Sequence, residues 1–123
     1  MSSDASSEAA ARKTAGEAEK LGAKILLIKC DVSDEPGVRA MLDSVKKTFG
    51  RLDVLINNAG TTANWKPKDL ETLSLEEWDR VFAVNVRGLF QVTRAALPLL
   101  RKGENPSIIN TASIVGLRPG PQP

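Results

Sequence analysis

Three stretches of the chain repeat apolar residues at helical spacing. Residues 5–21 are rich in alanine and precede Gly22, a residue type that commonly ends helices. The second stretch ends before Gly50 and carries one apolar stripe. Residues 75–101 begin after Ser74 with a capping box, and Pro98 is expected to bend or loosen the last turns. The spacing therefore predicts three main helices. The stripe of the second consists of Val38, Met41, Leu42, Val45 and Phe49.

The third predicted helix has an apolar side that an amide interrupts. The apolar members of this side are Trp78, Val81, Phe82, Leu89, Ala96, Leu97 and Leu100. Asn85 lies three residues after Phe82 and four before Leu89, so it falls on the same side. A buried amide is costly without partners, so Asn85 must bond to backbone, water or a ligand. The sequence leaves open whether the backbone alone satisfies it.

Three short apolar runs alternate with these helices, and each ends in a polar residue. Residues 24–30, 52–56 and 107–112 are rich in branched apolar side chains, as strands buried on both faces are. They end at Asp31, Asn57 and Ser113, respectively. The alternation predicts an α/β fold with parallel strands and right-handed crossovers, which places the three polar ends along one edge of the sheet. Small molecules bind at that edge in open α/β sheets.

Other interpretations of these positions remain open from the residues alone. Residues 57–60 can form an ordinary Asn-Asn-Ala-Gly turn that binds nothing, and Asp31 can be a local cap. Residues 61–72 form a polar connection with Trp65 and Pro67 that is long enough to fold over a ligand.

Composition limits the size and partners of the protein. The chain has 123 residues, 41% of them hydrophobic, which suffices for one domain or part of one. The net charge is +2 and no basic block occurs, so we expect no nucleic-acid partner. No apolar run is long enough for a membrane span or a secretory signal, and Asp4 and Glu8 argue against an organelle transit peptide. We expect a soluble, cytoplasmic protein.

Two missing residue types restrict the chemistry of the chain. It contains no histidine, no tyrosine and a single cysteine, Cys30, which closes an apolar run. These counts exclude an internal disulfide framework and leave almost no ligands for a metal site. They also exclude a Ser-His-Asp triad and a tyrosine general acid within these residues.

Four motifs closely resemble those of the classical short-chain dehydrogenase/reductase family. They are Asp31-Val32 after a strand, the Asn-Asn-Ala-Gly of 57–60, Asn85 between two valines, and Ile-Asn-Thr-Ala-Ser at 109–113. Together, in this order and spacing, they are highly specific and cover nearly the whole chain. The resemblance implies a Rossmann fold with a doubly wound parallel sheet. It also implies hydride transfer between a nicotinamide cofactor, NAD(P), and a carbonyl/alcohol substrate.

The resemblance also implies which residues bind the cofactor. Asp31 and the backbone of Val32 would meet the adenine, while Asn57, Ala59 and Gly60 would line the adenosine and ribose side. NADP is slightly favoured over NAD, although no basic residue supports that choice.

Two residues would take part in catalysis by the same resemblance. Ser113 would hydrogen-bond the substrate carbonyl or alcohol and stabilise the oxygen charge that develops in the transition state. Asn85 would support a proton relay.

The chain also departs from the family pattern. The family's Gly-rich phosphate loop has no counterpart in this sequence, and its Tyr-x-x-x-Lys pair would fall just past Pro123. The family's strand order is 3-2-1-4-5-6-7, so the predicted strands would be the third, fourth and fifth, and the strand at 25–30 would face a gap. We therefore hypothesise that residues 1–123 form an incomplete NAD(P)-binding Rossmann domain with three strands and three main helices. It would be a fragment of a longer enzyme, or a truncated gene model, and inactive alone.

Two other functions compete with this hypothesis. A truncated copy could be an interaction module that binds full-length homologues, because the family commonly forms dimers and tetramers through the helix that matches residues 75–101. A flavodoxin-like receiver would explain Asp31 but not the two asparagine sites or Ser113. We expect the parent enzyme to be a homodimer or homotetramer that acts on a small carbonyl or alcohol.

Overall fold

The computed structural model describes residues 5–63 and 70–116. Within them, helices alternate with a small sheet, which confirms the predicted α/β class. The helices are α1 (Ala5–Lys20), α2 (Glu35–Phe49), α3 (Leu75–Phe82) and α4 (Leu89–Leu100), with a π-helical segment, Ala83–Gly88, between the last two. The strands are β1 (Val54–Asn57) and β2 (Ser107–Asn110). Short 3-10 turns lie at Leu70–Thr72 and Ile114–Gly116. The predicted loop residues Trp65 and Pro67 lie outside the described residues.

The chain divides into two compact units, Met1–Cys30 and Asp31–Pro123. In the first, α1 ends in a turn closed by Gly22, whose φ of 88° suits a residue without a side chain. The strand predicted at residues 24–30 is wrong, because this segment forms no β-ladder with any described residue. Its apolar run predicted a strand, but a strand also requires a hydrogen-bonded neighbour. Leu27 is 48% exposed there.

In the second unit, the caps of α2 follow directly from its sequence. The Asp34 side chain accepts a hydrogen bond from the backbone N–H of Gly37, and Pro36 lies in the first turn, where its missing N–H costs nothing. Gly50 ends the helix with a φ of 78°, and its N–H donates to the Lys46 carbonyl.

Strands β1 and β2 are parallel, as predicted, and their register pairs Val54 with Ser107 and Asn57 with Asn110. Asp53 holds the start of the pair, because its carbonyl accepts from Ser107 N–H and its carboxylate accepts from Glu104 N–H. The prediction that the strands are buried on both faces is wrong: β2 is exposed throughout and β1 alternates between exposed and half-buried residues. Helix α4 packs against β1.

The core lies where α4 meets α2 and β1. The buried apolar residues are Val38, Leu42, Val92, Ala96, Leu99 and Leu100. Burial of Ala96 and Leu100 confirms part of the predicted third stripe, but Trp78 is 50% exposed and Phe82 is 44% exposed. The π-helical segment explains the difference. Its i→i+5 hydrogen bonds make each turn longer than the 3.6 residues of an α-helix. The apolar side of α3 therefore no longer faces the same direction as that of α4. Among the described helices, none is both long enough and apolar enough to cross a membrane.

Candidate functional site

The polar ends of β1 and β2 are joined to each other and to α4. Asn57 donates from Nδ2 to Asn110 Oδ1 at 2.9 Å and to Thr93 Oγ1 at 3.1 Å. Thr111 N–H donates to the Asn57 carbonyl at 3.0 Å. The Nδ2 group of the half-buried Asn57 thus ties two strands and a helix together.

The loop after β1 is fixed by Asn85 in the π-helical segment. Asn85 Oδ1 accepts from Thr61 N–H at 2.8 Å, and Asn85 Nδ2 donates to the Thr61 carbonyl at 2.8 Å. The backbone therefore satisfies both ends of this amide, which was one of the two interpretations that the sequence left open. Asn85 is exposed, however, so the prediction that it is buried is wrong. The phase change of the π-helical segment turns it out of the core and toward the loop.

Ala59 and Gly60 precede this anchored residue and are both exposed. A side chain on Gly60 would lie 3.7 Å from Asn85 Oδ1, so the turn approaches Asn85 without crowding. The backbone of this turn is exposed, and the two bonds between Thr61 and Asn85 anchor the residue that follows it.

A second clamp on the same loop involves Arg80, which the sequence analysis did not single out. Its guanidinium donates to Thr61 Oγ1 at 2.7 Å and to the Thr62 carbonyl at 2.8 Å. Glu77 forms an i,i+3 salt bridge with it at 2.8 Å. The Glu77 and Arg80 spacing on a helix was the available signal, but it looks the same as an ordinary surface ion pair.

The turn at residues 31–33 is built around a carboxylate. Asp31 Oδ1 accepts from Ser33 N–H at 2.8 Å and from Ser33 Oγ at 2.7 Å. Both bonds favour the ionised form, so the Ser33 hydroxyl, followed by the Ser33 N–H, holds the pKa of Asp31 below its ordinary value. Asp31 is exposed, so an anionic acceptor lies open to solvent at this turn. Oδ1 of Asp31 therefore caps the turn locally, which is one of the roles that the sequence left open for this residue.

Helix α4 and the π-helical segment before it also contact the turn at residues 31–33. Gln91 Nε2 donates to the Val32 carbonyl at 3.0 Å. A Cβ on Gly88 would lie 2.7 Å from Val32 Cγ2, so only glycine permits this approach. Gln91 was missed by the sequence analysis, although it is a polar residue within the apolar run of α4.

Ser113 lies three residues beyond the end of β2 and is exposed. Its carbonyl accepts from Gly116 N–H at 3.0 Å, which closes the 3-10 turn that follows. The structure thus brings Gly60 and Asn85 together in the loop after β1, whose last residue is Asn57, while Ser113 follows the neighbouring strand. The turn of Asp31 is anchored on the same helical region through Val32.

Comparison with known proteins identifies the family. Residues 3–123 match the family described as short chain dehydrogenase, so the chain belongs to that family and the predicted family membership is confirmed. The 2-(R)-hydroxypropyl-CoM dehydrogenase of Xanthobacter autotrophicus is 44% identical over 95 residues, which make up 76% of this chain and 38% of that enzyme.

Solved structures agree with the fold. A short-chain dehydrogenase/reductase from Burkholderia xenovorans is similar with a TM-score of 0.87 and 35% identity, over 95% of this chain and 49% of that one. An NAD⁺-bound xylitol dehydrogenase is similar with a TM-score of 0.65 and 35% identity, over 75% of this chain and 35% of that one. The chain therefore has a Rossmann-type α/β architecture and spans less than half the length of these relatives.

Proposed function

We propose that this chain forms the adenosine-binding part of an NAD(P)-dependent oxidoreductase that acts on a carbonyl/alcohol pair. The observation that carries the proposal is the attachment of two loops to one helical region. Asn85 fixes the loop that follows Gly60, and Gln91 with Gly88 fixes the turn of Asp31. The family membership and the NAD⁺-bound relative support it.

The residues present suit the adenosine end of such a cofactor. Asp31 presents an exposed carboxylate whose lowered pKa keeps it ionised, so it can accept a hydrogen bond from an exocyclic amine. Ala59 and Gly60 offer an exposed backbone with little side-chain bulk against which a ribose can lie. Asn57 would act indirectly here, since its amide holds Asn110 and Thr93.

The bound cofactor would accept or deliver the hydride. Ser113 would donate a hydrogen bond to the substrate oxygen and stabilise its developing charge. Asn85 would support proton transfer chiefly by holding the Thr61 backbone, because both ends of its amide bond there. The chain contains no tyrosine to serve as a proton donor, so we expect the 123-residue chain to bind nucleotide without turnover. NADP rather than NAD, and a cytoplasmic location, stay predictions.

Calorimetric titration of the chain with AMP tests this proposal. We expect a dissociation constant on the order of 1 mM, because only the adenosine end of the nucleotide is contacted. Asp31→Ala should weaken binding about tenfold, whereas Asp43→Ala, another exposed carboxylate, should leave it unchanged. Absence of AMP binding, or equal losses in the two variants, would contradict the proposal.

We propose a second function, binding to another chain of the family, on a separate observation. Trp78, Phe82, Val86 and Phe90 repeat at intervals of four and are each 44–57% exposed. The rings of Trp78 and Phe82 stack with centroids 4.6 Å apart. A contiguous apolar face of this kind commonly marks a protein interface.

Sedimentation equilibrium tests this second function. The chain should self-associate with rising concentration, and Phe82→Glu should abolish association. Leu21→Glu places the same charge on another exposed apolar residue, which is 90% exposed, and should leave association intact. A strictly monomeric parent chain, or a monomeric control variant, would count against this interface.

A further inference from the structure

Gln91 is the buried polar side chain of the described residues, at 8% exposure. A buried amide costs free energy unless it is hydrogen-bonded, and Gln91 Nε2 donates to the backbone carbonyl of Val32 at 3.0 Å. The two residues are 59 positions apart in the chain. The bond is therefore a long-range link between α4 and the turn of Asp31.

Gly88 contacts the side chain of Val32. The Val32 side chain occupies the space that a Cβ on Gly88 would need, since that atom would lie 2.7 Å from Val32 Cγ2 and 3.1 Å from the Val32 carbonyl oxygen. Gly88 is itself buried. Gln91 therefore bonds to the Val32 carbonyl, and the Val32 side chain packs against the backbone of the π-helical segment at Gly88.

The bonds within the turn cannot provide this placement. Ser33 fixes the shape of the turn around Asp31 through two bonds that both lie within the turn. The nearby salt bridge between Arg94 and Glu35 is exposed, and exposed ion pairs contribute little. Together with α2, which follows the turn and packs on α4, Gln91 and Gly88 therefore help to set where the Asp31 carboxylate lies relative to the loop after β1.

We propose that Gln91 is a positioning residue for the adenine end of the nucleotide, acting through Val32 without touching the ligand. This inference rests on the proposed nucleotide-binding function. The Gln91 side chain carries an N–H donor and is long enough to reach the Val32 carbonyl from its buried position. A side chain of similar size without the donor would leave that carbonyl without its partner and allow the turn to shift.

The test measures AMP binding and thermal unfolding in matched variants of the full chain. Gln91→Met keeps the volume and removes the donor, and we expect it to raise the AMP dissociation constant about tenfold. Val92→Ala, at the adjacent buried position, is the control for lost stability. It should lower the melting temperature at least as much, yet leave the AMP dissociation constant within about twofold.

Gly88→Ala would place a Cβ against the Val32 side chain and carbonyl and should also weaken AMP binding, so it supplies the test if Gln91→Met does not fold. Parent-like AMP binding by a folded variant of either residue would overturn the inference, as would an equal loss in Val92→Ala. A parent chain that does not bind AMP would overturn the proposed function itself, and the inference with it.

Discussion

Residues 25–28 and the end of α4 are both rich in branched apolar side chains, yet they differ in burial. Leu99 and Leu100 are each 4% exposed, whereas Leu27 is 48% exposed. Helix α4 has α2 and β1 as packing partners, while residues 24–30 form no β-ladder within the described chain. The difference shows that hydropathy marks a segment that can be buried, and that a packed neighbour decides whether it is.

The largest expected effect contrasts these two regions directly. Leu99→Ala should destabilise the chain by about 2–5 kcal/mol, because it leaves a cavity between packed elements. Leu27→Ala should cost less than about 0.5 kcal/mol. Urea unfolding of both variants measures the contrast. Equal losses would show that residues 24–30 are packed in solution, and the comparison would fail.

Asn85 sharpens the comparison because it is exposed yet hydrogen-bonded at both ends of its amide. Asn85→Ala removes both bonds to Thr61 and should cost about 1–2 kcal/mol. Amide exchange at Thr61 should also become faster. Asn85→Asp keeps the acceptor for Thr61 N–H but loses the donor, so it should give a smaller increase in exchange. Unchanged Thr61 exchange in Asn85→Ala would contradict this anchoring role.

The sequence was sufficient to predict the three helical regions, because these follow from periodicity and from Ser74, Gly50 and Gly22 at their ends. It also predicted the α/β class and the parallel pairing, because apolar runs alternate with the helices. It could not predict that Trp78 and Phe82 lie outside the core. Their spacing fits an α-helical stripe, and only the π-helical turns beyond them alter its direction. Residues 24–30 failed for a related reason, since a strand depends on a neighbour elsewhere in the chain.

The candidate site was predictable where a recognisable motif marked the residue. Asp31, Asn57 and Asn85 were singled out as candidates that way, although the bonds they make could not be foreseen. Gln91 and Arg80 were missed, because their importance comes from contacts with Val32 and Thr61 across the fold. Local spacing carries no information about such contacts.

A smaller effect is expected at Arg80. Arg80→Lys keeps the charge but cannot reproduce the guanidinium bonds to both Thr61 and Thr62, so it should cost below about 1 kcal/mol and loosen the loop. Arg39→Lys alters an exposed i,i+4 pair and is the matched control. Hydrogen exchange at Thr62 should rise only in Arg80→Lys. A rise in both variants would show that the effect is not specific to the clamp.

The smallest effect concerns pH. Since hydrogen bonds from Ser33 lower the pKa of Asp31 in the folded chain, their stabilisation is complete above the ordinary aspartate pKa of about 3.9. It is lost as pH falls through the lowered folded-state pKa. Ser33→Ala removes the hydroxyl donor, so the pKa of Asp31 should rise partway toward its ordinary value. A carboxyl NMR titration checks this, with Ser44→Ala as control. An unchanged pKa in Ser33→Ala would contradict the assignment.

The central claim is that one helical region holds two loops in place to receive the adenosine end of a nucleotide. Amide chemical-shift mapping during titration of the full chain with AMP tests it most directly. We predict that the shifts concentrate at residues 31–33 and 59–62, with the amides of α1 unaffected. Shifts spread evenly over the chain, or confined to residues away from both loops, would contradict the account.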